Sequence, residues 1–224
     1  MKGIEPGKAR KIMSERLNTI KKAVINRKRK EIEGLVDGAI EAGIEPGRII
    51  NEGLIAAMDV VGAQFAANDI FVPEMLASAL TMKLGLAKVK PLLKSEDQPS
   101  RGTVLMGTVR GDMHDIGKNI VNMMLEGAGF TVVDLGVDLT LEKLLEEIES
   151  LKPDILGLST LLTTTMPEME RAVRVIGDKG LRENMKIMVG GAPISKAFAE
   201  KIGADGHGSD AGEAVELAKR LMGE

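Results

Sequence analysis

From residue 8 to about 93, apolar positions recur at steps of three and four, with short interruptions and little strand signal. Met13, Leu17, Ile20 and Val24 form one stripe, and Ile32, Leu35, Val36, Ala39 and Ile40 form a second. Ile50, Leu54, Met58, Val61 and Phe65 make a third after Pro46, and Met75, Ala79, Met82, Leu86 and Val89 a fourth after Pro73. Each stripe gives a helix one face to bury, with Gly43 and Asn68-Asp69 as breaks between helices. Four short helices joined by loops of a few residues predict an antiparallel bundle, hence a domain over 1–93.

The polar run Lys94 to Ser100 has no apolar period, which predicts a linker over 94–102. Beyond it the period changes. Thr103–Thr108, Thr131–Asp134, Ile155–Ser159, Lys186–Val189 and a weak Ala204–His207 read as short strands. They alternate with helical stretches starting near Lys118, Leu141, Thr164, Ser195 and Ala211. Five β-α repeats predict a parallel, doubly wound sheet over 103–224. Right-handed crossovers place every loop that follows a strand at the same edge. Residues 112–117, 159–165 and 190–191 should therefore converge.

Composition adds bounds rather than a function. Hydrophobic content of 44% with 28% charged residues suits a water-soluble chain. No run approaches the ~20 apolar residues of a spanning helix. Met1 to Arg10 holds no apolar leader-like stretch, so a cytoplasmic location is expected, with no membrane partner. Zero cysteines exclude disulfides, iron–sulfur clusters and thiolate zinc sites, leaving imidazole and oxygen ligands for any metal. The net charge of −3 hides a basic start: residues 1–30 carry 11 Lys or Arg against two acids. With no Trp, no Tyr and four Phe, platforms for stacking bases are nearly absent. Arg27-Lys28-Arg29-Lys30 is read as a solvated or protein-docking face, not a nucleic-acid site.

The candidate chemistry lies in Gly111-Asp112-Met113-His114-Asp115-Ile116-Gly117, between the first strand and its helix. A turn at the carboxyl end of a parallel strand opens into the crevice where such sheets bind ligands. Asp112, two residues before His114, is placed to accept a hydrogen bond from Nδ1 and leave Nε2 as a free electron-pair donor. Such a pair suits a metal.

Asp112-x-His114-x-x-Gly117, then 41 residues, Ser159-x-Leu161, then 28 residues, Gly190-Gly191 resembles the cobalamin-binding signature of corrinoid proteins. The bundle, ending in Phe71-Val72-Pro73-Glu74-Met75-Leu76, is similar to the helical cap of methionine synthase and of small methyltransferase corrinoid proteins. The resemblance spans nearly the whole chain. It implies a four-helix bundle cap (all-α) followed by a Rossmann-like (flavodoxin-like) α/β domain with a doubly wound, five-stranded parallel sheet.

It also implies a role. Cobalamin or a related corrinoid would bind base-off, with His114 as lower axial ligand to cobalt. Asp112 and Thr165 would adjust the proton on the imidazole, Thr165 standing where the family more often has Ser. Ser159 would hydrogen-bond the benzimidazole and Leu161 would wall it. Gly117, Gly190 and Gly191 would clear a path for the nucleotide tail. Asp115, Ile116 and Thr163 belong to the same converging loops and join the cofactor-binding candidates. Phe71, Val72 and Met75 are the candidates for a lid over the upper face. The chain would shuttle a methyl group, with methylcobalamin as intermediate. The donor enzyme would be a substrate-specific methyltransferase of the methanol, methylamine or methoxy-aromatic kind. A second methyltransferase would pass the methyl to tetrahydrofolate or coenzyme M, and a reductive activase would serve as a further partner. On this reading it is the corrinoid subunit of a multi-component system and catalyses nothing alone.

Blander readings stand beside each assignment. His207, in Gly206-His207-Gly208, reads as a turn residue that borders the tail slot at most. Met13, Met58 and Met82 read as core filler. Thr163-Thr164-Thr165 doubles as a helix cap. A phospho-receiver domain shares the expected sheet order but needs an Asp where this chain has Ser159. An adenosylcobalamin-binding sensor or mutase subunit would share His114 and the glycines; the bundle, and no segment left over for a DNA reader, favour the carrier.

Overall fold

The computed structural model describes residues 6–93 and 100–224, with residues 6–9 and 66 described by backbone only. Most of the expected linker, residues 94–99, lies outside the described residues. The chain divides into two compact units, residues 1–99 with 127–129 and residues 100–126 with 130–224.

The first unit is helical: α1 (Pro6–Ile25), α2 (Ile32–Glu41), α3 (Pro46–Arg48), a π-helical segment Ile49–Ile55, α4 (Ala56–Ala66), α5 (Val72–Val89) and a closing 3₁₀ turn Lys90–Leu92. The four expected stripes match α1, α2, the continuous run 46–66, and α5. Leu17, Ile20, Val24, Ile32, Val36, Leu54, Val61, Met82 and Val89 from those stripes are buried. Residues 49–55 depart from the expected period by winding with one extra residue per turn, a rare geometry. Five of those seven residues, Ile49, Ile50, Gly53, Leu54 and Ile55, are buried. Gly53 lets α1 approach, since a Cβ there would stand 3.1 Å from Ile20 Cγ2. Asn68 takes the left-handed conformation (φ 61°) in the break where the sequence placed one. At the start of α5 the Glu74 carboxylate accepts from the Phe71 N–H at 2.8 Å. Arg27 to Lys30 lie exposed between α1 and α2, as a solvated face should, with Lys28 paired to Glu31 at 3.2 Å.

The second unit is a five-stranded parallel sheet in the order β2-β1-β3-β4-β5. Its strands are β1 (Thr103–Thr108), β2 (Thr131–Asp134), β3 (Ile155–Ser159), β4 (Lys186–Gly190) and β5 (Gly206–Gly208). Between and after them run α6 (Ile116–Gly127), α7 (Leu141–Leu151), α8 (Met166–Asp178), α9 (Lys196–Ile202) and α10 (Ala211–Leu221). β1 to β3 begin and end where the apolar runs do. β5 starts two residues later than expected: the Asp205 carboxylate, not a main-chain carbonyl, accepts the Ile187 N–H at 2.7 Å, so the ladder proper opens at Gly206.

One face of the sheet buries Leu105, Leu156, Leu158, Ile187 and Val189 against Leu144, Ile148, Met169, Ile176 and Ile202 of α7, α8 and α9. Apolar side chains at this density make up most of the favourable energy, at roughly 25 cal/mol per Å² removed from water. The order reverses between β1 and β3, which is where doubly wound sheets open their crevice. At that edge the register is level: Thr108 pairs with Ser159, Ser159 with Gly190, and Gly190 with Gly208.

Candidate functional site

His114 sits on the loop from β1 to α6, and four hydrogen bonds fix that loop. The buried Thr108 hydroxyl donates to the His114 carbonyl at 3.0 Å. His114 N–H donates to Asp112 Oδ1 at 2.9 Å. Gly111 N–H donates to Asp138 Oδ1 at 2.7 Å, and Asp138 N–H returns a bond to the Asp112 carbonyl at 3.0 Å. Asp138 holds φ 51° to do this. Behind the loop, the buried Lys118 of α6 pairs with Asp134 at the end of β2, 2.5 Å away, and also donates to Asn119 Oδ1.

Asp112 is fully buried, yet its carboxylate is well satisfied. Oδ1 also lies 2.7 Å from His114 Nδ1. Oδ2 takes bonds from Thr160 Oγ1 at 2.8 Å, Leu161 N–H at 2.7 Å and, more weakly, Leu162 N–H at 3.3 Å. Burial by itself pushes the Asp112 carboxyl up. The bonds from the His114 and Leu161 N–H groups, the imidazole and the Thr160 hydroxyl outweigh it and hold the group well below the ordinary carboxylate range. An anion saturated in this way is a fixed acceptor for Nδ1–H. It selects the tautomer whose Nε2 carries the lone pair.

The His114 side chain is half exposed (52%), and among the described residues no hydrogen bond engages Nε2. Among the described residues no group of three His, Cys, Asp or Glu is placed to hold an ion. A metal held in a corrin, whose ring supplies the in-plane ligands, needs only one such imidazole from the protein. The loops around His114 expose Met113 (68%), Ile116 (77%), Leu161 and Leu162, a group of apolar side chains at the carboxyl edge of the sheet. That rim and a single oriented imidazole fit a large, partly apolar macrocycle.

Other predicted residues divide by position. Ser159 is half buried at the end of β3, with no side-chain hydrogen bond among the described residues. Gly117 faces open space. Thr163 is exposed in a 3₁₀ turn, Thr163–Thr165. Asp115 closes the first turn of α6 by accepting from Asn119 at 2.8 Å and 3.0 Å. Gly191, at φ 121°, has a use beyond clearing a path: a Cβ there would stand 1.8 Å from the Thr160 carbonyl oxygen, so the residue seals the β4 loop against the β3 loop. A Cβ on Gly190 would lie 3.1 Å from the Gly208 carbonyl oxygen. His207 is in β5, paired in register with Val189, and its Nε2 is buried without a partner among the described residues, so it is a strand residue and not a turn. Of the lid candidates, Phe71 is exposed (67%), Val72 is partly so, and Met75 is buried.

Thr160 is the residue the motif spacing missed. It lies one position past Ser159, 1% exposed, and its hydroxyl stands between Asp112 and Thr165. Thr165 itself is 3.5 Å from Asp112 Oδ2.

The chain matches two family models, both described as B12 binding domain, over residues 102–216 and residues 16–90. It is similar to dimethylamine corrinoid protein 1 of Methanosarcina acetivorans, 40% identical over 93% of this chain and 98% of that protein. Among solved structures, it resembles the methanol:cobalamin methyltransferase complex of Methanosarcina barkeri (TM-score 0.84, 29% identity, 99% of this chain, 86% of that one). It also resembles a cobalamin-binding protein of Desulfitobacterium hafniense (TM-score 0.75, 29% identity, 92% of this chain, 98% of that one).

Proposed function

Since the chain belongs to the B12-binding corrinoid proteins, we propose that it is a methyl carrier holding its corrinoid base-off with His114 as the lower ligand. The observation that carries this reading is the Asp112 carboxylate: buried, fully hydrogen-bonded and 2.7 Å from Nδ1, it leaves Nε2 of a half-exposed imidazole free to bind a metal. When bound, the corrin cobalt supplies a centre able to take up and give up a methyl group. The protein's own residues do the rest. Asp112 holds the proton at Nδ1 and keeps the ring aimed. The Thr108 and Asp138 bonds hold the loop that carries it. Ser159 offers the nucleotide base a hydroxyl that no described residue engages, and Gly117 faces open space. Phe71 and Val72 are the residues assigned to exclude solvent from the upper face.

The similarity to a dimethylamine corrinoid protein supports a methylamine methyltransferase as the donor-side partner. The further partners on this reading would be a second methyltransferase on the acceptor side and a reductive activase. The test is the visible spectrum of the protein reconstituted with hydroxocobalamin, compared with His114→Ala. Histidine ligation predicts distinct spectra, and coincident spectra or a wild type that binds no corrinoid would end the proposal. Dimethylamine and methanol, each supplied with its own methyltransferase and the reduced protein, then separate the two donor classes by repeated turnover.

A further inference from the structure

We propose that Thr160 is a positioning residue: Thr165 acts on Asp112, and so on His114, through the Thr160 hydroxyl. The three hydroxyl and carboxylate groups are all in the interior, at 1% (Thr160), 7% (Thr165) and 0% (Asp112) exposure. Thr160 Oγ1 lies 2.8 Å from Asp112 Oδ2, and Thr165 Oγ1 lies 2.5 Å from Thr160 Oγ1. The direct path from Thr165 to the carboxylate is 3.5 Å, the outer limit of a hydrogen bond.

Proton counting fixes the direction. A hydroxyl carries one proton and two lone pairs. The Thr160 proton goes to the carboxylate, where a charge-assisted bond is worth about twice a neutral one. Its lone pair then accepts the proton of Thr165. Without the Thr160 hydroxyl, Thr165 has a ready alternative acceptor in the Leu162 carbonyl, 3.0 Å away, and would turn from Asp112 altogether.

Thr160 cannot step aside, because its main chain is clamped. Its N–H donates to the Gly190 carbonyl at 3.2 Å, and its own carbonyl is pressed against Gly191. The three loops that carry the sequence signature thus meet at a residue outside the signature. The consequence for a lower ligand rests on the carrier reading above, whereas the coupling itself needs no corrinoid.

The experiment uses the ¹⁵N-labelled full chain without cofactor and follows the His114 Nδ1–H and ring nitrogen resonances in wild type, Thr160→Val, Thr165→Val and the double variant. Thr165→Val is expected to move them in wild type and to move them roughly threefold less, or not at all, in Thr160→Val, the non-additivity of coupled neighbours. Thr160→Ser, which keeps the hydroxyl, should restore the Thr165→Val displacement. Equal displacements in both backgrounds would show that the direct contact carries the coupling and overturn the proposal, as would none in either. Thr160→Ala provides the same comparison if the valine variant misfolds. Failure of corrinoid binding would instead count against the carrier reading and leave this result intact.

Discussion

Gly191 touches Thr160 backbone to backbone, so closely that the smallest side chain at 191 would stand 1.8 Å from the Thr160 carbonyl oxygen. No side-chain rotation relieves such a clash, and the φ of 121° is itself unfavourable for any L-residue. Gly191→Ala should therefore lower stability by at least ~2 kcal/mol, or roughly 4–8 °C in Tm for a chain of this size. Thermal unfolding followed by circular dichroism measures it. A change under ~0.5 kcal/mol would mean the two loops part freely.

Asp112→Asn keeps the shape of the side chain and removes the charge that its donors serve. The amide would point two N–H groups at atoms that already donate, a loss of about 2–4 kcal/mol at neutral pH. The pH dependence follows from the depressed carboxyl. Its stabilisation is fully present above the unfolded value near ~4 and is lost as the pH falls toward the folded value. Urea titrations from pH 7 to pH 3 should show wild type and variant converging as the solution becomes acidic. A constant difference would contradict the assignment.

How much of this was legible in the chain depends on distance along it. β1 and β3 could be placed because each is an apolar run with polar punctuation, and the helix after β5 begins at Ala211, where the helical stretch was expected, with Asp210 as its cap. The π-helical turn at Ile49–Ile55 was not, since a stripe read at 3.6 residues per turn also fits a segment that locally winds wider. Thr160 was not, because its partner Asp112 is 48 positions away and nothing in Ser159-Thr160-Leu161 marks the middle residue. β5 slipped because Asp205 mimics a strand carbonyl with its side chain. His114 and Asp112 were legible because they are two residues apart and their contact is local.

The Lys118 and Asp134 pair should respond asymmetrically. The Lys118 side chain is almost wholly buried (1%) and that of Asp134 is more than a third exposed (38%). Lys118→Met leaves a carboxylate that water and the Gly136 N–H can still serve, and should cost about 1 kcal/mol or less. Asp134→Ala leaves a buried ammonium its bond to Asn119 Oδ1 but no counter-charge and should cost about 3 kcal/mol. Chemical denaturation of the two variants tests this, and equal losses would refute it.

Phe71 and Met75 belong to the same helix start but to different environments. Met75→Ala should lose about 2–5 kcal/mol by leaving a cavity, whereas Phe71→Ala should change stability by no more than ~0.5 kcal/mol. If Phe71 shields the cofactor, that variant will lose its reduced corrinoid to oxygen faster at unchanged Tm. Unchanged oxidation kinetics would remove Phe71 from the lid.

The bonds to the Asp112 carboxylate come from His114 on one side and from Thr160, Leu161, Leu162 and, at the 3.5 Å limit, Thr165 on the other, segments that meet only once β1 has paired with β3. A chain in which that non-local pairing has not formed keeps the local Asp112–His114 contact but lacks the donors from the β3 loop that hold the carboxylate in place. The full set of bonds that aims the imidazole therefore requires the finished sheet, and opening the β1–β3 pairing would release the carboxylate from its donors on that side.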